Sequence, residues 1–285
     1  ALTRYGLAEL LADPDAIEAI DTSPELGAAL LRIKGTISPQ LTDGLRSLIS
    51  RIVADIMERL QHPVTTALSG VRRRSNSPHA VARNFDWRRT ITANLGNVDP
   101  NTGRMIVEDV RFMSRQRRRN LTWDVIILVD QSASMASCLL HSAVMASILA
   151  GLPGLSVRLA VFDTTVVDLS HAVHDPVEVL MTSQLGGGTD IANAVGYAAG
   201  TVTSPSRTIV TVISDFEEGG SVSTLVKRVR DLVAQGVTVL GLVSLDEGGH
   251  AWYDHDVAER LAEVGMRIAA MTPDRFAAWL AEVTV

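Results

Sequence analysis

Val125-Ile126-Ile127-Leu128-Val129-Asp130-Gln131-Ser132-Ala133-Ser134-Met135 is an unbroken apolar run that stops abruptly at oxygen-bearing side chains. Aliphatic residues without polar alternation predict a strand covered on both faces, as at the centre of a parallel sheet. Asp130, Ser132 and Ser134 then fall at alternate positions where the strand gives way to a helix. In an open α/β sheet this is the carboxyl end of a strand, the edge where ligands bind beside a topological switch point.

Outward from that stretch, the chain beyond Leu121 alternates short apolar strands with helical patterns, the mark of βαβ units. Helices are expected over Met135–Ala150, Ile191–Ala199, Val222–Ala234, Val257–Val264 and Pro273–Glu282. Strands are expected over Val157–Phe162, Ile209–Ile213, Val237–Val243 and Arg267–Ala270, with a short edge strand over Val166–Leu169 after the Asp163-Thr164-Thr165 turn. The expected fold class is therefore α/β, a doubly wound, mainly parallel and Rossmann-like sheet, preceded by an N-terminal helical region. From Ser23 to Leu60, Leu45, Leu48, Ile49, Ile52 and Ile56 recur at three- and four-residue steps, predicting two or three amphipathic helices broken near Gly35 to Pro39. The chain thus divides into three regions: helices over 1–63, a basic connector over 64–120 with a strand or hairpin in Arg104–Arg118, and the α/β domain over 121–285.

Two further segments reach the edge that Asp130 occupies. Gly186-Gly187-Gly188-Thr189-Asp190 opens the helix at Ile191, its glycines letting the backbone approach closely. The strand Ile209–Ile213 delivers Ser214-Asp215. Asp130, Ser132, Ser134, Thr189 and Asp215 form a candidate shell of hard oxygen donors, suited to Mg²⁺ or Mn²⁺ and unlike the His and Cys sets that hold zinc. Two carboxylates leave a divalent cation electrophilic enough to accept one more, from an Asp or Glu of a partner. Trp252 and Tyr253, in the loop after Val237–Val243, are expected at the rim of that edge, where aromatics anchor interfaces.

In order, Asp130–Met135, Phe162-Asp163, Gly187-Gly188-Thr189-Asp190-Ile191 and Ser214-Asp215 resemble the metal-ion-dependent adhesion motif and flanking signatures of von Willebrand factor A (VWA) domains. The resemblance covers about Leu121 to Val285. It implies the doubly wound fold, Mg²⁺ as the usual ion, and the same five residues as its shell. Ala133 stands where many relatives have glycine. Asp86-Trp87-Arg88-Arg89-Thr90-Ile91 with Asn94-Leu95, together with the later Arg115-Gln116-Arg117-Arg118-Arg119, resembles bacterial VWA proteins of the CoxE-like type. That narrower likeness implies a MoxR-type AAA+ ATPase as partner, with the chain as a non-catalytic adaptor in remodelling or maturation of a client.

Composition bounds the alternatives. The 285 residues carry a net charge of −6, unevenly spread: −3 over residues 1–63, +8 over 64–120 and −11 over 121–285. An arginine belt invites a nucleic-acid reading, yet its aromatics are limited to Phe85, Trp87 and Phe112, so a solvated belt, or one paired within the chain by docking on the acidic C-terminal block, is preferred. Lys34 and Lys227 are the only lysines and neither ends a glycine-rich loop, which argues against a phosphate-cradling ATPase. A dinucleotide fingerprint is missing after the first strand, and Ser132 lacks a G-x-S-x-G elbow. A Mg²⁺-dependent phosphohydrolase is the enzymatic alternative, with Ser132 where that chemistry uses a second aspartate. The single cysteine, Cys138, excludes an intrachain disulfide, and the histidines lack zinc spacing. Without an apolar stretch of membrane-spanning length or a leader-like start, the chain is expected to be cytoplasmic.

Overall fold

The computed structural model describes residues 11–69, 82, 85–100, 102–112, 122–132, 135–243, 253–271 and 273–284. They divide into two compact units, one made of residues 1–68 with 122–285, the other of residues 69–121.

The first unit is built on six strands: β1 (Trp123–Asp130), β2 (Leu155–Phe162), β3 (Val166–Asp168), β4 (Thr208–Ser214), β5 (Thr238–Val243) and β6 (Arg267–Ala270). Their spatial order is β3-β2-β1-β4-β5-β6. All neighbours pair in parallel except β2 with β3. The chain thus runs outward from β1 in both directions, a doubly wound sheet whose direction reverses beside β1. Val125, Ile127 and Val129 face one hydrophobic cluster and Ile126 and Leu128 the other, which is why the β1 sequence has no polar alternation.

Helices α7 (Ile191–Thr201), α8 (Val222–Ala234) and α9 (His255–Glu263) supply the second cluster. The first holds α5 (Ala136–Ala150), α6 (Pro176–Thr182) and α10 (Pro273–Thr284) together with the N-terminal helices α1 (Pro14–Ala19), α2 (Pro24–Ile33) and α3 (Thr42–Ser69). The reason is written in α5. Its sequence, ASCLLHSAVMASILA, has no polar face, and a helix that is apolar all round must be covered all round. The sheet covers one side and α2 packs on the other, approaching through Gly27. A Cβ at Gly27 would lie 2.8 Å from Leu140 Cδ2 and 3.2 Å from Ile52 Cγ2. Helix α3 runs on through Pro63 to Ser69. No described helix is long and apolar enough to cross a membrane.

Two short helices went unforeseen in the sequence, α6 and, in the second unit, α4 (Trp87–Ala93). Each is only seven residues long and is set by its cap: Asp175 Oδ1 accepts from Glu178 N at 3.0 Å and Asp86 Oδ1 from Arg89 N at 3.1 Å. So few turns show almost no period to read.

The described part of the second unit has an unusual interior. Asp86, Thr90 and Asn94 are buried, whereas Phe85, Trp87, Ile91, Leu95, Val98, Ile106, Val107 and Val110 are exposed. Of the strand or hairpin expected over Arg104–Arg118, residues 113–118 lie outside the described residues; in the described part the pairing consists of the isolated antiparallel bridges Val98–Met105 and Phe85–Phe112, and side chains supply further bonds. Asn94 supplies most of them. Its Nδ2 donates to Thr90 O (2.7 Å) and Asp109 O (2.8 Å), while its Oδ1 accepts from Glu108 N (2.8 Å) and Asp109 N (3.0 Å). Thr90 Oγ1 accepts from Arg111 N at 3.0 Å. Asn94→Ala is expected to free these buried or part-buried backbone groups, costing about 1–3 kcal/mol locally. Faster amide exchange at Glu108 and Asp109 would report it.

Candidate metal centre

Parallel pairing sets the site. The β1–β4 register places Val129 beside Ile213, so Asp130 and Ser214 end adjacent strands. Asp130 is fully buried and accepts hydrogen bonds from Ser132 N to Oδ1 at 2.8 Å and from Ser214 Oγ to Oδ2 at 2.8 Å, with the Ser132 hydroxyl also donating to its carboxylate. Asp215, also buried, accepts from Glu217 N at 3.2 Å. Burial pushes the Asp130 carboxyl above its ordinary range, and the nearby Asp215 carboxylate pushes the same way, against the hydrogen bonds from Ser132 and Ser214. Two buried carboxylates near enough to repel form a site that a hard cation relieves.

Ser214 was missed in the sequence as a working residue. Its hydroxyl donates to Asp130 and accepts from Phe216 N at 3.0 Å, so one side chain ties Asp130 to the turn that follows Asp215. That second bond accompanies a turn in which Phe216 takes φ 60°, a left-handed conformation that side chains rarely adopt. The buried Phe216 ring fits because position 241 is glycine: a Cβ there would lie 2.6 Å from Phe216 Cζ and 3.0 Å from Met266 Cε. Gly241→Ala is expected to destabilise the protein by about 1–3 kcal/mol through overpacking, read as a lower midpoint in chemical denaturation.

The glycine-rich segment is brought to the same edge by backbone bonds. Gly186 N donates to Gln131 O (3.0 Å), Asp190 N to Asp163 O (2.8 Å) and Gly219 N to Thr189 O (2.9 Å). The last links Thr189 to the loop just beyond Asp215, and a Cβ at Gly219 would lie 2.7 Å from Thr189 O. Gly187, at φ 94°, lies against Asp163: a Cβ there would be 3.3 Å from Asp163 Oδ2. Asp190 caps α7 by accepting from Asn193 N at 2.7 Å. Glu218 adds to that cap, accepting from Ile191 N at 2.8 Å; burial, with the Asp190 carboxylate adding, pushes its carboxyl upward.

Gln131 is a buried connector. Its Oε1 accepts from Gln184 N at 3.2 Å, and its Nε2 donates to Asp163 Oδ2 at 3.2 Å. Nothing in a lone glutamine of the sequence distinguishes this role from that of a surface residue.

Of the five candidate ligands, the structure brings Asp130, Ser132 and Asp215 together and places Thr189 on the segment bonded to their loops. Ser134 lies outside the described residues, as does Trp252 of the expected rim. Tyr253 is half-buried, its ring 4.1 Å from that of His255, and the adjoining Asp254 donates its N–H to Asp215 O at 2.9 Å. Asp254 therefore lies beside the acidic edge. Among the described residues no group of three or more His, Cys, Asp or Glu side chains could hold a metal; the candidate shell is two aspartates with hydroxyls. That donor set fits Mg²⁺.

A doubly wound sheet with this oxygen-donor edge at its switch point defines a protein of the VWA class. The chain belongs to the family described as VWA domain containing CoxE-like protein, which matches residues 58–280. It is 44% identical over 283 residues to the uncharacterized protein YehP of Escherichia coli (strain K12), covering 99% of this chain and 75% of that one. Similar solved structures include an aerotolerance-related membrane protein from Bacteroides fragilis NCTC 9343, 18% identical, with 57% of this chain and 98% of that chain covered and a TM-score of 0.45. Another is a VWA protein from Catenulispora acidiphila, 14% identical, covering 61% and 43% respectively, with a TM-score of 0.42.

Proposed function

We propose that this protein is a non-catalytic adaptor that captures an acidic side chain of a partner through Mg²⁺ held by Asp130, Ser132, Ser134, Thr189 and Asp215, working with a MoxR-type AAA+ ATPase on a client. The observation that carries it is the pair of buried carboxylates, Asp130 and Asp215, set among hydroxyls at the switch point of the sheet. When bound, Mg²⁺ supplies an electrophilic centre for an incoming carboxylate. The chain's own residues hold it in place: Ser214 and the Ser132 amide orient Asp130, and Gly219 fixes the Thr189 backbone.

A protein-binding role is supported by the second unit as well. Exposed Trp87, Ile91 and Leu95 recur at helical spacing along α4 and the residues just after it, with Arg88 lying 5.1 Å from the Trp87 ring centroid. Trp and Arg side by side on a surface are typical of protein interfaces. The test is a pull-down from native cells with Mg²⁺, with chelator, and with the Asp130→Ala variant. An AAA+ ATPase retained only by the unmodified protein in Mg²⁺ supports the reading. Identical partners in all three conditions refute it, and metal-dependent phosphate release from a generic ester would favour a phosphohydrolase instead.

A further inference from the structure

Lys34, one of two lysines in the chain, stands at the end of α2 and points at another part of the sequence altogether. Its Nζ donates to Leu180 O at 2.7 Å, to Met181 O at 2.9 Å and to Ser183 O. An ammonium has three donors, and all three are engaged. The acceptors are carbonyls at the C-terminal end of α6, where helix partners run out and a cation is favoured by the helix dipole. Burial pushes the Lys34 ammonium down to about 8, so it is still charged at neutral pH.

Helix α6 leads directly into the segment that carries Thr189. Gln184 N bonds to the Gln131 side chain at 3.2 Å, Gly186 N to the Gln131 carbonyl at 3.0 Å, and Asp190 N to Asp163 O at 2.8 Å. Residues 180–190 are therefore anchored at one end by a lysine of the N-terminal helices and along their length by Gln131, next in sequence to Asp130, and by Asp163. We infer that Lys34 is a positioning residue for the metal edge: it fixes the start of the segment that delivers Thr189, and so couples the N-terminal helices to the site. Movement of α2 would slacken that segment without touching a ligand. The metal consequence rests on the proposed Mg²⁺-dependent adaptor role; the positioning itself does not.

The test uses the full chain and two readouts. In Lys34→Met, which keeps an unbranched side chain out to Cε but none of its donors, amide exchange at Gln184, Gly186 and Asp190 should accelerate by roughly tenfold or more. Mn²⁺ affinity, monitored by electron paramagnetic resonance of the free ion, should fall by roughly 2-fold to 30-fold. Lys34→Arg, which restores a cation with several donors, should recover part of both. Leu261→Val, a core change in α9 within the second cluster, serves as the control for general loosening and should leave those three amides unaffected. If Lys34→Met fails to fold, Lys34→Gln, which retains two donors, takes its place. The inference is overturned if the three amides exchange no faster than in the control, whatever the metal does. Faster exchange in a protein whose unmodified form binds no Mn²⁺ would uphold the positioning role and refute the metal reading.

Discussion

Asp130→Asn is expected to abolish Mg²⁺ binding at this site while leaving the fold intact. An asparagine has the same shape, its Oδ1 can accept from Ser132 N, and its Nδ2 can donate to the Ser214 hydroxyl, so the Ser132 amide and Ser214 bonds have substitutes. The substitution removes half of the carboxylate charge of the site. The expected loss of Mg²⁺ affinity is on the order of 100-fold or more, since even groups one step removed from a metal cost about 10- to 100-fold. Isothermal titration calorimetry measures it directly.

The stability of the metal-free proteins should move the other way, with a sign set by the carboxyl pKa. Asp130 is raised on folding, by burial first and by Asp215 in the same sense. A raised acid contributes stability that is fully present below its unfolded value and is lost as pH rises through the folded value. At neutral pH the ionised, metal-free form therefore bears a cost that asparagine removes. Metal-free Asp130→Asn is expected to melt no lower than metal-free unmodified protein. Mg²⁺ at about 100 times its dissociation constant should then stabilise only the unmodified protein, by about 2.7 kcal/mol, or roughly 5–10 °C. Equal Mg²⁺ responses in both proteins would rule Asp130 out as a ligand.

The second large effect concerns the N-terminal helices. Leu48 of α3 is fully buried in the cluster that contains α5 and one face of the sheet. Leu48→Ala is expected to cost about 2–5 kcal/mol, the transfer term plus the cavity left behind. Because the helices and the sheet share one core, the loss should lower a single unfolding transition by roughly 5–15 °C instead of splitting off an early one. Far-ultraviolet circular dichroism and calorimetry should give the same midpoint. An early transition confined to the helices, with the sheet melting unchanged, would show that α1 to α3 fold as a separate body.

Much of the α/β architecture was legible because its signals are local. The β1 run, the alternation of strands and helices after Leu121 and the tight turn before β3 all depend on periods of two or 3.6 residues within short windows. The carboxyl-edge placement of Asp130 and Asp215 came from β1 and β4 being parallel. Helices α4 and α6 were not legible, being seven residues long and specified by a single cap each. The stretch near Arg104 suggested a strand by alternation, yet its backbone is held by Asn94 and Thr90, whose bonds span 14 to 21 residues of sequence. Alternation registers which side chains are apolar; here Met105 and Phe112 sit at isolated bridges while Val107 and Val110 are exposed.

By itself the amino-acid order determined the doubly wound sheet, the order of its strands' chemistry, and the three stretches from which oxygen donors arrive, since each is a property of neighbouring residues. Only the tertiary structure decided that α5, apolar on every side, would be roofed by the N-terminal helices, that Ser214 and Gln131 would fasten the acidic edge, and that Lys34 would cap a helix some 150 residues away. Those contacts arise because buried apolar faces and unpaired carbonyls must find partners, and the partner that packing brings near is not written in the residues on either side.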